Sequence, residues 1–168
     1  METVIIKDIN DENIALAGKI IRDGGIVVFP TETVYGLGAS AYNDAAVEKI
    51  YKAKGRPSDN PLIVHLSDVS EVKKAAREIP EKAQKLFDKF APGPFTVILK
   101  KQPGISDTVT AGLDTVGIRI PQDPVARAFI KAAGVPIAAP SANISGKPSP
   151  TCAEHVLHDM NGRADAII

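Results

Sequence analysis

The sequence holds a single cysteine, Cys152, so no disulfide can form within the chain, and a reducing compartment suits it. It has no net charge. Twenty basic side chains meet twenty acidic ones, which excludes a whole-molecule positive field and leaves room only for local basic patches. No apolar run is long enough to cross a bilayer, and Met1 leads into Glu2 and Lys7 without an apolar signal core. Both absences predict a cytoplasmic protein with no membrane attachment. Repeats and low-complexity linkers are also missing, so residues 1–168 are expected to form one domain, of a size that folds without cross-links.

Familiar site fingerprints are missing too. The GKPS at 146–149 ends like a Walker A loop, but Ser141 stands where the leading glycine belongs and Pro148 where the hydroxyl residue belongs. The GLG at 36–38 lacks the third glycine of a dinucleotide turn, and no G-x-S-x-G elbow exists for a hydrolase. Cys152, His155 and His158 recur at three-residue steps on an expected helix. Their spacing matches no common zinc signature, so no protein-held metal is expected.

What is present is an alternation of short β-branched runs with amphipathic stretches, the pattern of an α/β domain with helices on a mixed sheet. Strands are predicted at 3–7, 26–29, 62–66, 95–100, 116–120, 137–139 and 164–168. Helices are predicted after Asn10 or Asp11, after Asp44, around 69–77, from Pro80 and from Asp123-Pro124. Ala83, Leu86, Phe87 and Phe90 would line the apolar stripe of the helix from Pro80, and Thr151 with Glu154 would form a capping box for the last helix.

Three polar segments punctuated by Gly and Pro are the candidate site loops: 30–38 (PTETVYGLG), 52–61 (KAKGRPSDNP) and 140–150 (PSANISGKPSP). Turn-forming composition alone explains them equally well. Lys52, Lys54 and Arg56 cluster at a helix end, where they suit a phosphate or carboxylate ligand or simply compensate the helix dipole. Asn60 could orient a phosphate or satisfy its own loop. His65 interrupts the strand LIVHL on the face opposite Leu62, Val64 and Leu66. There it could bond a substrate, exchange protons near neutral pH, or be a satisfied edge histidine.

Five ordered stretches then carry a resemblance: FPTETVYGLG from Phe29, KIYKAKGRPSDNPLIVHL from Lys49, APGPFTVIL from Ala91, TVGIRIP from Thr115 and APSANISGKPSPT from Ala139. In this order, and over nearly the whole chain, they resemble the YrdC-like family of threonylcarbamoyl-adenylate synthases. The resemblance implies a twisted, open, mixed α/β sheet with helices on both sides around a concave site. It also implies a nucleotidyltransferase that joins L-threonine, bicarbonate and ATP, with Mg2+, into threonylcarbamoyl-AMP and pyrophosphate. The product would feed the tRNA threonylcarbamoyl transferase machinery that modifies an adenosine beside the anticodon.

By the same resemblance Thr33, His65, Arg119 and Ser141 would contact threonine. Lys54, Arg56, Asn60, Thr115, Asn143 and Thr151 would face ATP, with Lys54 and Arg56 carrying catalysis and Tyr35 shaping the pocket. Arg119 would clamp the threonine carboxylate with two parallel hydrogen bonds. Family members continue beyond the equivalent of Ile168, so the chain is expected to be truncated at its C-terminal end. Two other functions compete: a carbamoyl-adenylate-forming domain, whose usual acylphosphatase-like and Cys-rich companions do not appear in this sequence, and a non-catalytic module binding double-stranded RNA, whose affinity would fall steeply with salt.

Overall fold

The computed structural model describes residues 2–168. Its strands are β1 (Val4–Ile5), β2 (Val27–Phe29), β3 (Gly36–Ser40), β4 (Ile63–His65), β5 (Val97–Lys100), β6 (Thr115–Arg119), β7 (Ile137–Ala139) and β8 (Ala166–Ile167). They join in one sheet ordered β1-β8-β2-β3-β7-β4-β6-β5, parallel at β1/β8, β2/β8 and β4/β6 and antiparallel elsewhere. The helices are α1 (Asp11–Arg22), α2 (Asp44–Lys54), α3 (Glu81–Phe90), α4 (Asp107–Thr110), α5 (Pro124–Ala133) and α6 (Ala153–Met160), with a 3₁₀ helix at Val69–Lys74. The expected mixed α/β sheet is therefore observed.

Local chemistry sets most boundaries. The Asn10 side chain accepts from the Asn13 N–H to start α1, and Asp123 accepts from Val125 and Ala126 to start α5, with Pro124 in its first turn. Gly55 and Gly134 end α2 and α5 in the left-handed conformation. Three expectations at helices fail. Asn43, rather than Asp44, caps α2 by accepting from Ala46. The Thr151–Glu154 capping box does not form: the N-cap of α6 is Cys152, one residue later, and it makes no side-chain bond. In α3 only Ala83 and Phe87 are buried; Leu86 and Phe90 stay exposed, so the apolar stripe is narrower than its sequence suggests.

The larger correction is β3, whose GLGAS lies within and just after a segment expected to be loop. All five of its residues are buried. A Cβ on Gly38 would sit 2.6 Å from an Ile137 methyl carbon and 3.0 Å from the Phe29 ring, and one on Gly36 would sit 3.1 Å from that ring. The glycines are there so that the Phe29 side chain can lie across the strand.

Helices cover the sheet unevenly. On one face, α2, α3 and α6 pack on Val28, Leu37, Ala39, Val64, Ala138, Leu99 and Ile118. On the other, α1 and α5 cover Val27, Phe29, Ile137, Ala139 and Ala166, leaving the face at β4, β6 and β5 open. There Ile63 and Ile98 are 38% and 70% exposed, and Thr115, Gly117 and Arg119 are half-buried, while the alternate residues Val64, Val116 and Ile118 are fully enclosed. A period of two along each strand thus separates core from open floor.

The junction of α1 and α5 yields one prediction. A Cβ at Gly18 would stand 2.6 Å from the Ala132 carbonyl carbon and 2.8 Å from the Ala133 nitrogen, both main chain. Gly18→Ala gains about 1 kcal/mol of helix propensity, yet forcing the helices apart costs roughly 1–3 kcal/mol or more. The balance should be a loss of stability, seen as a lower urea midpoint with an unchanged slope.

Candidate active site

Hydrogen bonds tie the three polar segments to one another, and the first of them reaches over the open floor. Between β2 and β3, residues 30–35 reach across to β6: Arg119 Nη2 donates to Thr33 Oγ1 at 3.2 Å and to Glu32 Oε1 at 2.5 Å, and Glu32 Oε2 accepts from the Gln122 N–H. The Thr31 hydroxyl donates to the Val34 carbonyl at 2.6 Å and stiffens this turn. Tyr35 links it to the segment after β7, with its N–H on Pro150 and its carbonyl accepting from Ala142 at 2.8 Å. Half-buried Tyr35 thereby forms a wall between two of the loops.

At the end of α2, Lys54 turns inward and is 2% exposed. Its ammonium donates to the Ser141 carbonyl, the Asn143 carbonyl (2.7 Å) and Asn143 Oδ1 (3.4 Å). Ser141 Oγ in turn donates to Asn143 Oδ1, and Asn143 Nδ2 donates to the Lys147 carbonyl at 2.8 Å. An ammonium has three hydrogens, and here all three go to protein oxygen. Lys54 therefore shapes the loop bearing Ser141 and Asn143, instead of lying free for a phosphate as its sequence position suggests. Arg56, two residues on, is half-buried; its N–H donates to the Tyr51 carbonyl at 3.0 Å, and its guanidinium has no hydrogen bond or ion pair among the described residues. Asn60 and Thr151 lie exposed on the flanking loops, and Thr115 lies on the same face of β6 as Arg119. Four residues of strand put Thr115 about 13 Å from Arg119, enough for a ligand with two separated anionic ends.

A family model for Sua5, YciO and YrdC proteins, described as telomere recombination, matches residues 19–168. The chain belongs to the Sua5/YciO/YrdC family. A threonylcarbamoyl-AMP synthase of Bacillus subtilis (strain 168) is 58% identical over 160 residues, covering 95% of this chain and 46% of that protein. The crystal structure of P. abyssi Sua5 complexed with L-threonine superposes with a TM-score of 0.92 at 48% identity, covering 99% of this chain and 49% of that one. E. coli YciO superposes with a TM-score of 0.84 at 25% identity over 99% of this chain and 82% of its own. The chain spans about half the length of the curated relatives it matches, at 46% and 50%.

Within this family fold the site's electrostatics follow from burial. His65 sits in β4 between β7 and β6, an interior strand, so it is not an edge histidine. Its Nδ1 donates to the Ile63 carbonyl at 3.1 Å, and its ring meets the Phe29 ring edge-on at 5.9 Å. Burial, with the Arg119 cation beside it, pushes its pKa down to about 4. His65 is thus neutral at pH 7, a fixed hydrogen-bonding wall unsuited to exchanging protons near neutrality. Burial and the neighbouring Arg56 lower Lys54 to about 8, against a pull upward from Asp159, so it stays protonated at pH 7. Asp159 itself falls to about 2 because Lys147 and His158 bond its carboxylate; it also accepts from the Ile144 N–H and pins the 141–147 loop to α6. Among the described residues, no three His, Cys, Asp or Glu side chains group to hold a metal, and Cys152 is an exposed helix cap.

Glu32 and Asp159 escaped the sequence reading. Glu32 had a faint signal, the one carboxylate among the threonines of PTET; Asp159 had none, because the loop groups it holds, Lys147 and Ile144, lie 12 and 15 residues upstream. A pH prediction follows from His65. Its folded pKa lies below the unfolded value of 6.5, so the unfolded state binds the extra proton between pH 6.5 and 4 and stability falls as pH drops through that window. The full effect is on the order of 3 kcal/mol. Chemical denaturation at steps from pH 7 to 4 should show the decline, and His65→Gln should flatten it.

Proposed function

We propose that this chain makes threonylcarbamoyl-AMP and pyrophosphate from L-threonine, bicarbonate and ATP, the first half of threonylcarbamoyl transfer to an adenosine beside the tRNA anticodon. The observation that carries the reading is that hydrogen bonds join the site loops: Tyr35 ties the loop that brings Thr33 to Arg119 to the segment that Lys54 braces through Ser141 and Asn143, with Arg56 two residues beyond Lys54. The family's named synthases and the threonine-bound relative support the choice of substrates.

In this scheme the threonine amine bonds to the carbon of bicarbonate, and water leaves to give a carbamate. A carbamate oxygen then bonds to the α-phosphorus of ATP, the bond to the β-phosphate oxygen breaks, and pyrophosphate departs. Both partners are anions, so the protein's main task is to hold them together against their repulsion. Arg119 and Thr33 receive the carboxylate end, with Ser141 and His65 along the amino acid. Arg56 has donors to spare for the phosphates, and Asn60, Thr115, Asn143 and Thr151 border the nucleotide. Lys54 acts through the loop it braces. Mg2+ would come with the ATP phosphates and neutralise part of their charge.

Pyrophosphate release with ATP and Mg2+, omitting threonine and bicarbonate in turn, tests the proposal. Release should require both; release indifferent to the omissions would overturn it.

A further inference from the structure

Arg119 is already occupied. One hydrogen of its Nη2 goes to Glu32 Oε1 and another to Thr33 Oγ1. Both two-donor edges of a guanidinium, the end-on Nη1/Nη2 pair and the side-on Nε/Nη2 pair, need an Nη2 hydrogen. With both committed, Arg119 cannot grip a ligand carboxylate through two parallel bonds as its sequence context implies. Meanwhile its Nε–H is buried and has no partner among the described residues. The two side chains are largely enclosed, 14% exposed for Arg119 and 18% for Glu32, so water does little to relieve that donor.

The cause is the way Glu32 divides its oxygens. Oε1 meets Arg119 and Oε2 meets the Gln122 N–H, so the carboxylate bonds Arg119 through one oxygen only and cannot also reach Nε. A carboxylate free of Gln122 could take Nε and Nη2 side by side. We propose that Glu32 is an internal stand-in for the substrate's carboxylate, holding Arg119 until the amino acid arrives and releasing it then. The inference rests on the proposed role of Arg119 as receiver of the threonine carboxylate, and adds the residue that competes for it.

The exchange is favoured at Arg119, where one charged hydrogen bond is replaced by two and an orphaned donor gains a partner. Glu32 can keep Gln122 through Oε2 while Oε1 turns outward, since the main chain at Glu32 is open to solvent. A competitor of this kind lowers apparent affinity by the fraction of molecules it holds closed.

Calorimetric titration of the 168-residue chain with L-threonine, in wild type and Glu32→Gln, tests the idea. The amide is a weaker partner for Arg119, so the threonine Kd should fall roughly three- to tenfold. An unchanged or higher Kd would mean that Glu32 stays in place as a brace and that Thr33 yields instead, and the proposal would be overturned. A second measurement needs no folded Glu32 variant. The Nε–H proton resonance of Arg119 in wild type, identified by its loss in Arg119→Lys, should move downfield on saturation with threonine as Nε gains a carboxylate. Threonine binding that leaves this resonance still would sink the stand-in alone. Failure of wild type to bind threonine at all would remove the reading of Arg119 on which it rests.

Discussion

Replacing Lys54 with methionine is expected to cost both stability and turnover. The stem length is kept and only the ammonium goes, leaving the carbonyls of Ser141 and Asn143 enclosed without their donor and Asn143 Oδ1 with Ser141 Oγ alone. Stranding buried oxygens costs about 1–3 kcal/mol each, less where the loop can relax toward water, so roughly 3–5 kcal/mol is expected. For a chain of this size that lowers the melting temperature by about 8–15 °C. The loop released is the one bearing Ser141 and Asn143, so pyrophosphate release should drop by about 100-fold or more, the scale of losing a pre-positioned reacting group. Lys54→Arg should not rescue it, because a planar guanidinium cannot point three hydrogens at three converging oxygens. Calorimetry and the pyrophosphate assay check both halves. A melting temperature within a degree of wild type would remove Lys54 from its bracing role.

That role marks where sequence reasoning stopped. A helix beginning at Asp123-Pro124 and ending at Gly134 was legible because both signals are local, and so was the strand ending in Phe29. The strand Gly36–Ser40 was not, because its glycines carry no strand preference; they serve a ring contributed by Phe29, which only the folded sheet brings there. In the site, Thr33, His65, Arg119 and Ser141 were nominated by likeness to a family, while the Glu32–Arg119 pair spans 87 residues and has no pattern in the chain. Lys54 and Arg56 were assigned the same phosphate-facing role, as members of one cluster of cations with Lys52 at a helix end. Gly55 separates them by reversing the backbone at φ 61°, which leaves one side chain on the buried face of α2 and sends the other out past its end.

The same reversal predicts that Arg56→Ala behaves unlike Lys54→Met. Among the described residues no group bonds the Arg56 guanidinium, so its removal should change stability by no more than about 0.5 kcal/mol, the usual range for a position without such partners. In the proposed scheme its five donors would meet the charge that builds on the α-phosphate as pyrophosphate leaves. Removing a pre-aimed donor from a transition state costs about 100- to 1000-fold in rate, so turnover should collapse while threonine binding, measured without ATP, stays as it was. Arg56→Lys should recover only part of the loss, since a point charge replaces a fork that can bridge two phosphate oxygens. Steady-state pyrophosphate release, with a melting curve as control, separates the outcomes: unchanged kinetics would take Arg56 out of the site, and a collapsed fold would show that it has a structural partner after all.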